Sequence, residues 1–281
     1  AVLGAIDALP GTELLPDPRA TPAQLEAAHA AESWQRIVEL ETKAGGEPGA
    51  IALDADTFLS RGSVDATLRG SGAACFAIDQ IAAGKVRNAF CAVRPPGHHA
   101  EQATAMGFCL LNHVAVAAHH AIASGAAERV AIIDFDVHHG NGTQSIFEST
   151  PDVLFVSSHQ MPLYPGTGHP GETGCGNVLN LPLSPGDGSE VFRAAWREYG
   201  LPRVADFRPD LLLVSAGFDA HERDPLGQLR LQDDDYCWIT TEIRAIAERL
   251  CDGRIVSLLE GGYDLDALAT ASAAHVGALT A

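Results

Sequence analysis

The chain is poor in positive charge, in long apolar runs and in paired cysteines. Among its 281 residues, 18 Lys and Arg stand against 36 Asp and Glu, which gives a formal net charge of −18. Because Lys and Arg supply most nucleic-acid affinity by neutralising phosphates, no direct binding to nucleic acid is expected. The acidic charge would instead attract cationic substrates such as lysine side chains or polyamines, or serve only general solubility.

Two further absences restrict where the protein is expected to work. No stretch approaches the roughly 18 uninterrupted apolar residues that span a bilayer, and the opening AVLGAIDALPG has neither the charge nor the apolar length of a secretion signal. The six cysteines form no Cys-x-x-Cys pair, which suits reduced, buried thiols. We therefore expect a soluble cytoplasmic protein without a membrane partner. The sequence leaves open whether the protein forms a homo-oligomer.

Six apolar runs rich in β-branched residues predict strands, and they are bounded by 88–93, 129–137, 152–157, 177–182, 210–216 and 254–260. Helical spacing between them predicts helices at 21–43, 63–83, 112–124, 141–149, 188–205, 233–250 and 264–279. Continuous apolar runs are typical of parallel strands covered on both faces. The alternation predicts an α/β fold with a doubly wound parallel sheet, in a single domain over residues 1–281.

Polar residues follow several predicted strands, at the edge where parallel sheets bind ligands. Alternation along the second strand places Asp134, Asp136 and His138 on one face, and Asp219 follows the fifth strand. Buried carboxylates repel each other unless a cation compensates. Each residue alone is more typical of a solvated loop, but together Asp136, His138 and Asp219 predict a Zn²⁺ site with an open position.

Two adjacent histidines, His98 and His99, follow the first strand in RPPGHHA. Hydrolysis of an amide needs a base and then an acid, and histidine titrates in the required range, so we assign this role chiefly to His99. His98 is expected to assist electrostatically, with Asp134 behind it and Asn141 behind His99. The alternative is a histidine pair that simply belongs to a surface loop.

The sixth strand ends in LLEGGYD, which carries Tyr263. Its hydroxyl is predicted to stabilise an oxyanion, a contribution typically worth about 10²- to 10³-fold in rate. A tyrosine after two glycines is otherwise usually structural. Residues 158–176 contain five glycines and three prolines, which predicts a long structured loop of functional importance.

Seven motifs, in this order along the chain, resemble the histone deacetylase family, most closely its class II branch and bacterial relatives: RPPGHHA, GFCLLN, DFDVHHGNGTQ, YPGTG, SAGFDAH, DPLG and LEGGY. The resemblance covers nearly the whole chain. It implies an arginase-like three-layer fold, one Zn²⁺ on the ligands named above, and Tyr263 as transition-state donor. It also implies a narrow channel for an acylated amine, with substrate contacts from Gly107, Phe108, Tyr164, Gly261, Gly262 and Ser63.

The same resemblance implies monovalent cations, usually K⁺. One is expected near the zinc, on Asp134, Asp136, the His138 carbonyl, Ser157 and the Ser158 carbonyl. A second is expected near Phe147 and Val153. The chain begins inside what resembles the family's first helix, so the opening strand and first loop are expected to lie outside this numbering. Tyr164 stands where many relatives carry phenylalanine.

These features predict a zinc-dependent amidohydrolase that deacylates acetyl-lysine, acetylated polyamines or similar amines, with Fe²⁺ open as the native metal. Two alternatives are a non-catalytic module that binds acyl-lysine and a binuclear manganese ureohydrolase, which shares the fold by family resemblance. Gly140 and His221 stand where the second manganese ion would need aspartates, which speaks against the ureohydrolase.

Overall fold

The computed structural model describes residues 1–7, 9–44 and 50–281. A short antiparallel pair, β1 (Ile51–Ala52) and β2 (Phe58–Leu59), precedes the main sheet. The sheet has six parallel strands: β3 (Asn88–Cys91), β4 (Val130–Asp134), β5 (Val153–Gln160), β6 (Val178–Leu183), β7 (Leu211–Ala216) and β8 (Ile255–Leu259). Their order is β3-β8-β7-β4-β5-β6, so the chain winds outward from β4 in both directions. The doubly wound parallel sheet is confirmed.

Helices cover both faces of the sheet. They are α1 (Val2–Ile6), α2 (Pro22–Glu26), α3 (Ala31–Ala44), α4 (Ser63–Ala82), α5 (His113–Ala123), α6 (Asn141–Phe147), α7 (Ser189–Ala195), α8 (Leu201–Phe207), α9 (Asp233–Leu250) and α10 (Leu265–Thr280). Alternate residues of β4 divide between two cores: Ile133 packs in the core with Trp196, and Ile132 packs in the core with Ile78. The three-layer architecture follows from this two-sided burial.

The second predicted strand is too long, because β4 ends at Asp134 rather than near residue 137. There the N–H of Asp136 turns to the Asp134 carboxylate, 3.1 Å away, and no longer pairs with a neighbouring strand. Asp136 and His138 therefore lie in a loop beyond the strand. In contrast, β5 runs further than predicted, to Gln160, and includes Ser157 and Ser158.

Two predicted helices are interrupted. The segment 21–43 forms α2 and α3, because the Ala30 N–H and the His29 ring bond the carbonyls of Gln102 and Glu101 instead of continuing a helix. The segment 188–205 contains a π-helical turn, Trp196–Gly200, ahead of Pro202. Proline has no N–H for the regular helical hydrogen bond, which accounts for an irregular turn at this point.

Among the described residues, none of the helices combines the length and apolar character that crossing a bilayer requires.

Candidate active site

A cavity of about 220 Å³ opens at the carboxyl ends of the strands, where the sequence predicts the site. It is lined by Asp56, Pro96, His98, His99, Gly107, Phe108, Asp136, His138, Leu163, Tyr164, Leu226, Gly261 and Tyr263. These residues come from loops after β3, β4, β5, β7 and β8 and from the segment between β1 and β2. The fold thus brings together side chains separated by more than 200 positions in the sequence.

At the base of the cavity, Asp136, His138 and Asp219 turn their ligand atoms toward one point. The His138 Nδ1 lies 3.2 Å from Asp136 Oδ1 and 3.1 Å from Asp219 Oδ2. One ligand atom from each residue lies within 4.8 Å of the other two. A tetrahedron with metal–ligand bonds of about 2.0 Å has edges of about 3.3 Å, and the two distances from His138 to the carboxylates match that length.

Backbone N–H groups hold both carboxylates in place. The Gly261 N–H donates to Asp136 Oδ2 and the Val137 N–H donates to Asp219 Oδ1, each over 2.9 Å. Such outer partners fix the orientation of metal ligands and are typical of built metal sites. A Cβ at Gly261 would come within 2.1 Å of Asp219 Oδ2, so the backbone approach requires glycine at this position.

The electrostatics of Asp136, His138 and Asp219 also favour a bound cation. Burial and the neighbouring negative charge of Asp136 raise the pKa of Asp219 to about 7. Burial would lower the pKa of His138, but hydrogen bonds to Asp136 and Asp219 outweigh it and raise that pKa to about 10. The cluster therefore attracts positive charge strongly, and its one nitrogen and two oxygen ligands suit Zn²⁺.

The surroundings of the two cavity histidines shift their pKa values in opposite directions. The His98 Nδ1 lies 3.0 Å from Asp134 Oδ2. Burial lowers the pKa of His98, but the charges of Asp136 and Asp134 outweigh burial and raise that pKa well above its usual range, which favours the protonated form. Burial, reinforced by repulsion from His98, holds the pKa of His99 well below its usual range. The two ring centroids are 4.0 Å apart, so a positive charge on His98 disfavours protonation of His99.

Asn141 selects the tautomer of His99. The Asn141 amide nitrogen donates to Glu101 Oε1 over 3.0 Å, which leaves Asn141 Oδ1 to face the His99 Nδ1 at 2.8 Å. The Nδ1 of His99 consequently carries the hydrogen, and its Nε2 keeps a free lone pair for a proton. The sequence predicts Asn141 behind His99, but it did not single out Glu101, which orients the amide.

Aromatic side chains form the walls of the channel. The Tyr164 ring meets the His99 ring edge to face at a centroid distance of 5.2 Å, and Phe108 meets Tyr263 at 5.9 Å. Both Gly107 (φ 57°) and Phe108 (φ 65°) adopt the left-handed region. Phe108 and Tyr164, the predicted wall residues, and Gly107, the predicted backbone contact, line this one opening together.

Tyr263 reaches the cavity because Asp224 fixes its backbone, accepting the Tyr263 N–H over 2.7 Å. Burial and the negative charges of Asp219 and Asp136 raise the pKa of the Tyr263 phenol far above its usual value. The hydroxyl therefore stays protonated and can donate a hydrogen bond. Asp224 belongs to the DPLG motif, which the sequence singles out without giving this carboxylate a role.

Two predicted contact residues do not line the cavity. Ser63 begins α4, where its hydroxyl accepts the Ser60 N–H over 2.9 Å and so serves the local turn. Gly262 faces the Leu268 side chain instead. Asp56, which the sequence reading did not select, lines the opening together with Leu226. It lies in a two-stranded segment too short for a periodic pattern to reveal.

The family model described as the histone deacetylase domain matches residues 2–279. The chain belongs to the histone deacetylase family. The crystal structure of the HDA15 HD domain superposes with a TM-score of 0.91 at 35% identity, covering 99% of this chain and 80% of that one. This confirms both the family and the fold that the motifs predict.

Several relatives share about two fifths of their residues with the chain. A probable deacetylase of Archaeoglobus fulgidus is 42% identical over 239 residues, which is 84% of this chain and 65% of that protein. The histone deacetylase-like amidohydrolase of Pseudomonas aeruginosa is 40% identical over 251 residues, 88% of this chain and 65% of that protein. In the type-2 histone deacetylase 2 of Dictyostelium discoideum, the match covers 13% of the protein. The chain thus spans less than two thirds of these proteins.

The first of the two cation sites implied by the family fits the residues present. Asp134 and Ser157 are register partners on β4 and β5, and both are fully buried. The Ser158 hydroxyl accepts the Trp196 Nε1–H, and the expected ligand from this residue is its backbone carbonyl. Carboxylate, hydroxyl and carbonyl oxygens suit a hard cation such as K⁺, and this site stays a prediction.

The second implied cation site does not fit. The carbonyl oxygens of Phe147 and Val153 each accept a hydrogen bond of 2.7 Å from the side-chain nitrogen of Asn177. An amide N–H donor thus stands where these oxygens would coordinate an ion.

We predict that Gly107→Ala slows the reaction of this site by about 10²-fold, the typical result of misplacing a reacting group. The new Cβ would lie 2.4 Å from His99 Cδ2 and must displace the imidazole. Gly125→Ala is the matched control, because Gly125 has a similar positive φ but open space around it. Turnover and metal content of both variants test this, and equal turnover in the two would contradict a fixed position for His99.

Proposed function

We propose that this protein is a zinc-dependent deacetylase that hydrolyses the acyl-amide bond of an acylated amine. The observation that carries the proposal is the meeting of three elements in one cavity. These are a cation-attracting set of Asp136, His138 and Asp219, a neutral His99 and a protonated Tyr263. Amide hydrolysis requires an electrophilic centre, a proton acceptor and an oxyanion donor, and the cavity provides a group suited to each.

When bound, a zinc ion would supply Lewis acidity toward the acyl carbonyl and the attacking water. His99 takes the proton of that water on Nε2, because its Nδ1–H is committed to Asn141. Tyr263 donates its O–H to the oxygen of the tetrahedral intermediate. His99 then returns the proton to the departing amine, while cationic His98 stabilises the negative charge that develops nearby.

The shape and charge of the opening favour an amine on an aliphatic chain. Phe108, Leu163, Tyr164 and Leu226 offer apolar walls, which suit the methylene groups of lysine or a polyamine. Asp56 lines the same cavity, and the chain carries a net charge of −18, so cationic amines are attracted. Acetyl-lysine peptides and acetylated polyamines both satisfy these conditions, and we expect neither nucleic acid nor membrane as a direct partner.

A binuclear manganese enzyme finds no support in the geometry. A Cβ at Gly140 would lie 2.4 Å from Asp134 Oδ2, so a larger side chain in this conformation would collide with Asp134. His221 instead accepts the Arg223 N–H over 3.2 Å and lies 3.6 Å from Asp233. Within the described ranges, Asp136, His138 and Asp219 form the single group of three His, Cys, Asp or Glu side chains whose ligand atoms lie close enough to share an ion.

The cysteines support a cytoplasmic location. All six are free thiols, and Cys75, Cys91, Cys109 and Cys251 are buried. Unpaired cysteines are typical of proteins kept in a reducing compartment. We therefore include a cytoplasmic site of action in the proposal, with one K⁺ near the zinc and homo-oligomerisation open.

Tyr263→Phe is predicted to lower kcat by about 10²- to 10³-fold, since it removes one oxyanion donor, and to leave zinc content unchanged. Tyr199→Phe, at an exposed tyrosine on the π-helical turn, is the control. The assay uses an acetyl-lysine peptide and an acetylated diamine, with and without a hydroxamate chelator. Unchanged turnover in Tyr263→Phe would contradict the assignment, and zinc-loaded wild type without turnover would favour the binding module.

A further inference from the structure

Glu260 is a buried carboxylate beneath the histidine pair, and the proposed reaction leaves it without a role. It follows β8 and is 7% exposed. Its Oε2 accepts two backbone hydrogen bonds, from Gly97 N–H at 2.6 Å and from His98 N–H at 3.1 Å. Its Oε1 accepts the Ser215 hydroxyl at 3.0 Å. One side chain just after β8 therefore joins the loop that follows β3 to Ser215 on strand β7.

This connection matters because it bonds the backbone N–H groups of Gly97 and His98 directly to the residue that follows β8. β3 is an edge strand that pairs with β8 alone, and the ladder ends at Cys91 and Leu258. Pro95 and Pro96 have no N–H. Gly97 and His98 therefore carry the first backbone N–H donors after the two prolines. Both donors point to Glu260. The carboxylate thus sets where the His98–His99 peptide lies relative to β8.

We propose that Glu260 is a positioning residue that holds the backbone of His98 and His99 against the metal ligands. The same segment connects both parts of the centre, because the N–H of Gly261, the next residue, binds the Asp136 carboxylate. Glu260 and Gly261 therefore fix the positions of the histidine pair and of Asp136 relative to the end of β8. The expected effect of Glu260 on turnover rests on the proposed function. Its expected effect on the position of the Gly97 and His98 backbone does not.

Comparing Glu260→Gln with Glu260→Ala distinguishes the effect of the hydrogen bonds of Glu260 from the effect of a charged side chain at this buried position. Glutamine keeps an oxygen for the two N–H donors and an amide group for the Ser215 hydroxyl, whereas alanine removes both. Asp235→Ala is the matched control, since Asp235 is a fully buried carboxylate with three hydrogen-bond donors away from the cavity. Turnover is normalised to zinc-loaded protein, so that a loss of folded protein does not count as a loss of rate.

We expect Glu260→Ala to lower kcat by about 10²-fold with KM within about threefold, as a displaced catalytic group does. Glu260→Gln should restore kcat to within about fivefold of wild type, and Asp235→Ala should keep kcat while melting at lower temperature. Equal kcat in Glu260→Ala and wild type would overturn the proposal, as would a Gln variant as slow as the Ala variant.

Hydrogen exchange of the Gly97 and His98 amides gives a second readout that does not depend on hydrolysis. Both amides should be protected in wild type and in Glu260→Gln, and should exchange faster in Glu260→Ala. Equal protection in all three proteins would overturn the positioning role. A wild type that hydrolyses neither assay substrate would refute the proposed function, and the exchange data would still decide on Glu260.

A second inference concerns Asn177, which is 3% exposed. Its Nδ2 faces three backbone carbonyls, those of Phe147 at 2.7 Å, Thr150 at 3.0 Å and Val153 at 2.7 Å. Its Oδ1 accepts the Cys175 N–H at 3.2 Å, which fixes the orientation of the amide. Three oxygens that converge on one donor form the kind of group that otherwise coordinates a hard cation.

We infer that the Asn177 side chain replaces the second monovalent cation that the family resemblance implies. The amide nitrogen satisfies the same carbonyl oxygens without an ion, so the region after α6 is held together by the chain itself. Stability of this region should consequently not depend on K⁺.

Equilibrium dialysis with rubidium tests the replacement, with K⁺-dependent melting as a second measurement. Asn177→Ala should bind one more rubidium ion per chain than wild type. Asn177→Asp should melt at a K⁺-dependent temperature, because its carboxylate would repel the three carbonyls. Asn180→Ala, at another buried amide, should match wild type in binding. Two rubidium ions on wild type, or no gain in either Asn177 variant, would overturn the inference.

Discussion

The structure depends on how buried negative charge is balanced at the carboxyl ends of the central strands. Asp134, Asp136, Asp219 and Glu260 are all buried there, within a few residues of β4, β7 or β8. Carboxylates so close together are tolerated only when protons, N–H donors or cations compensate them. Each of the main site features can be understood as one of these compensations.

The compensations differ from one carboxylate to the next. Asp134 faces a protonated His98, whereas Glu260 faces the backbone N–H groups of Gly97 and His98. Asp136 and Asp219 receive N–H donors from neighbouring loops but still converge on His138. Asp136, His138 and Asp219 are therefore the part of the network that is best suited to hold a cation.

The same balance makes the histidine pair asymmetric. A proton on His98 is stabilised by the carboxylates around it and raises the cost of a second proton on His99. Asn141, held by Glu101, then determines which nitrogen of neutral His99 is free. The surroundings thus favour different protonation states for two adjacent residues of the same type.

Much of this site could be predicted from the sequence, because its polar residues directly follow the apolar runs that form the strands. The parallel sheet, the convergence of Asp136, His138 and Asp219, and the cavity location of Tyr263 follow from apolar runs that end in polar residues. The break between α2 and α3 could not be predicted, since it depends on a histidine that bonds a distant loop.

The roles of Glu260 and Asn177 could not be predicted from the sequence either. Their partners are backbone N–H and C=O groups, which every residue type carries, so no residue pattern marks them. Only the tertiary structure reveals which backbone groups these side chains meet. The Ser63 hydroxyl accepts the Ser60 N–H in the turn before α4, a contact with a backbone group that no residue pattern marks, and its substrate contact stays a prediction.

The most direct test of the central claim is a zinc titration of metal-free protein, in which bound zinc and hydrolysis of an acetyl-lysine peptide or acetylated diamine are measured together. Our account predicts that activity rises in proportion to occupancy and saturates at about one zinc per chain, and that Asp219→Asn abolishes both. Activity that requires two manganese ions per chain, or hydrolysis that persists without any metal, would contradict it.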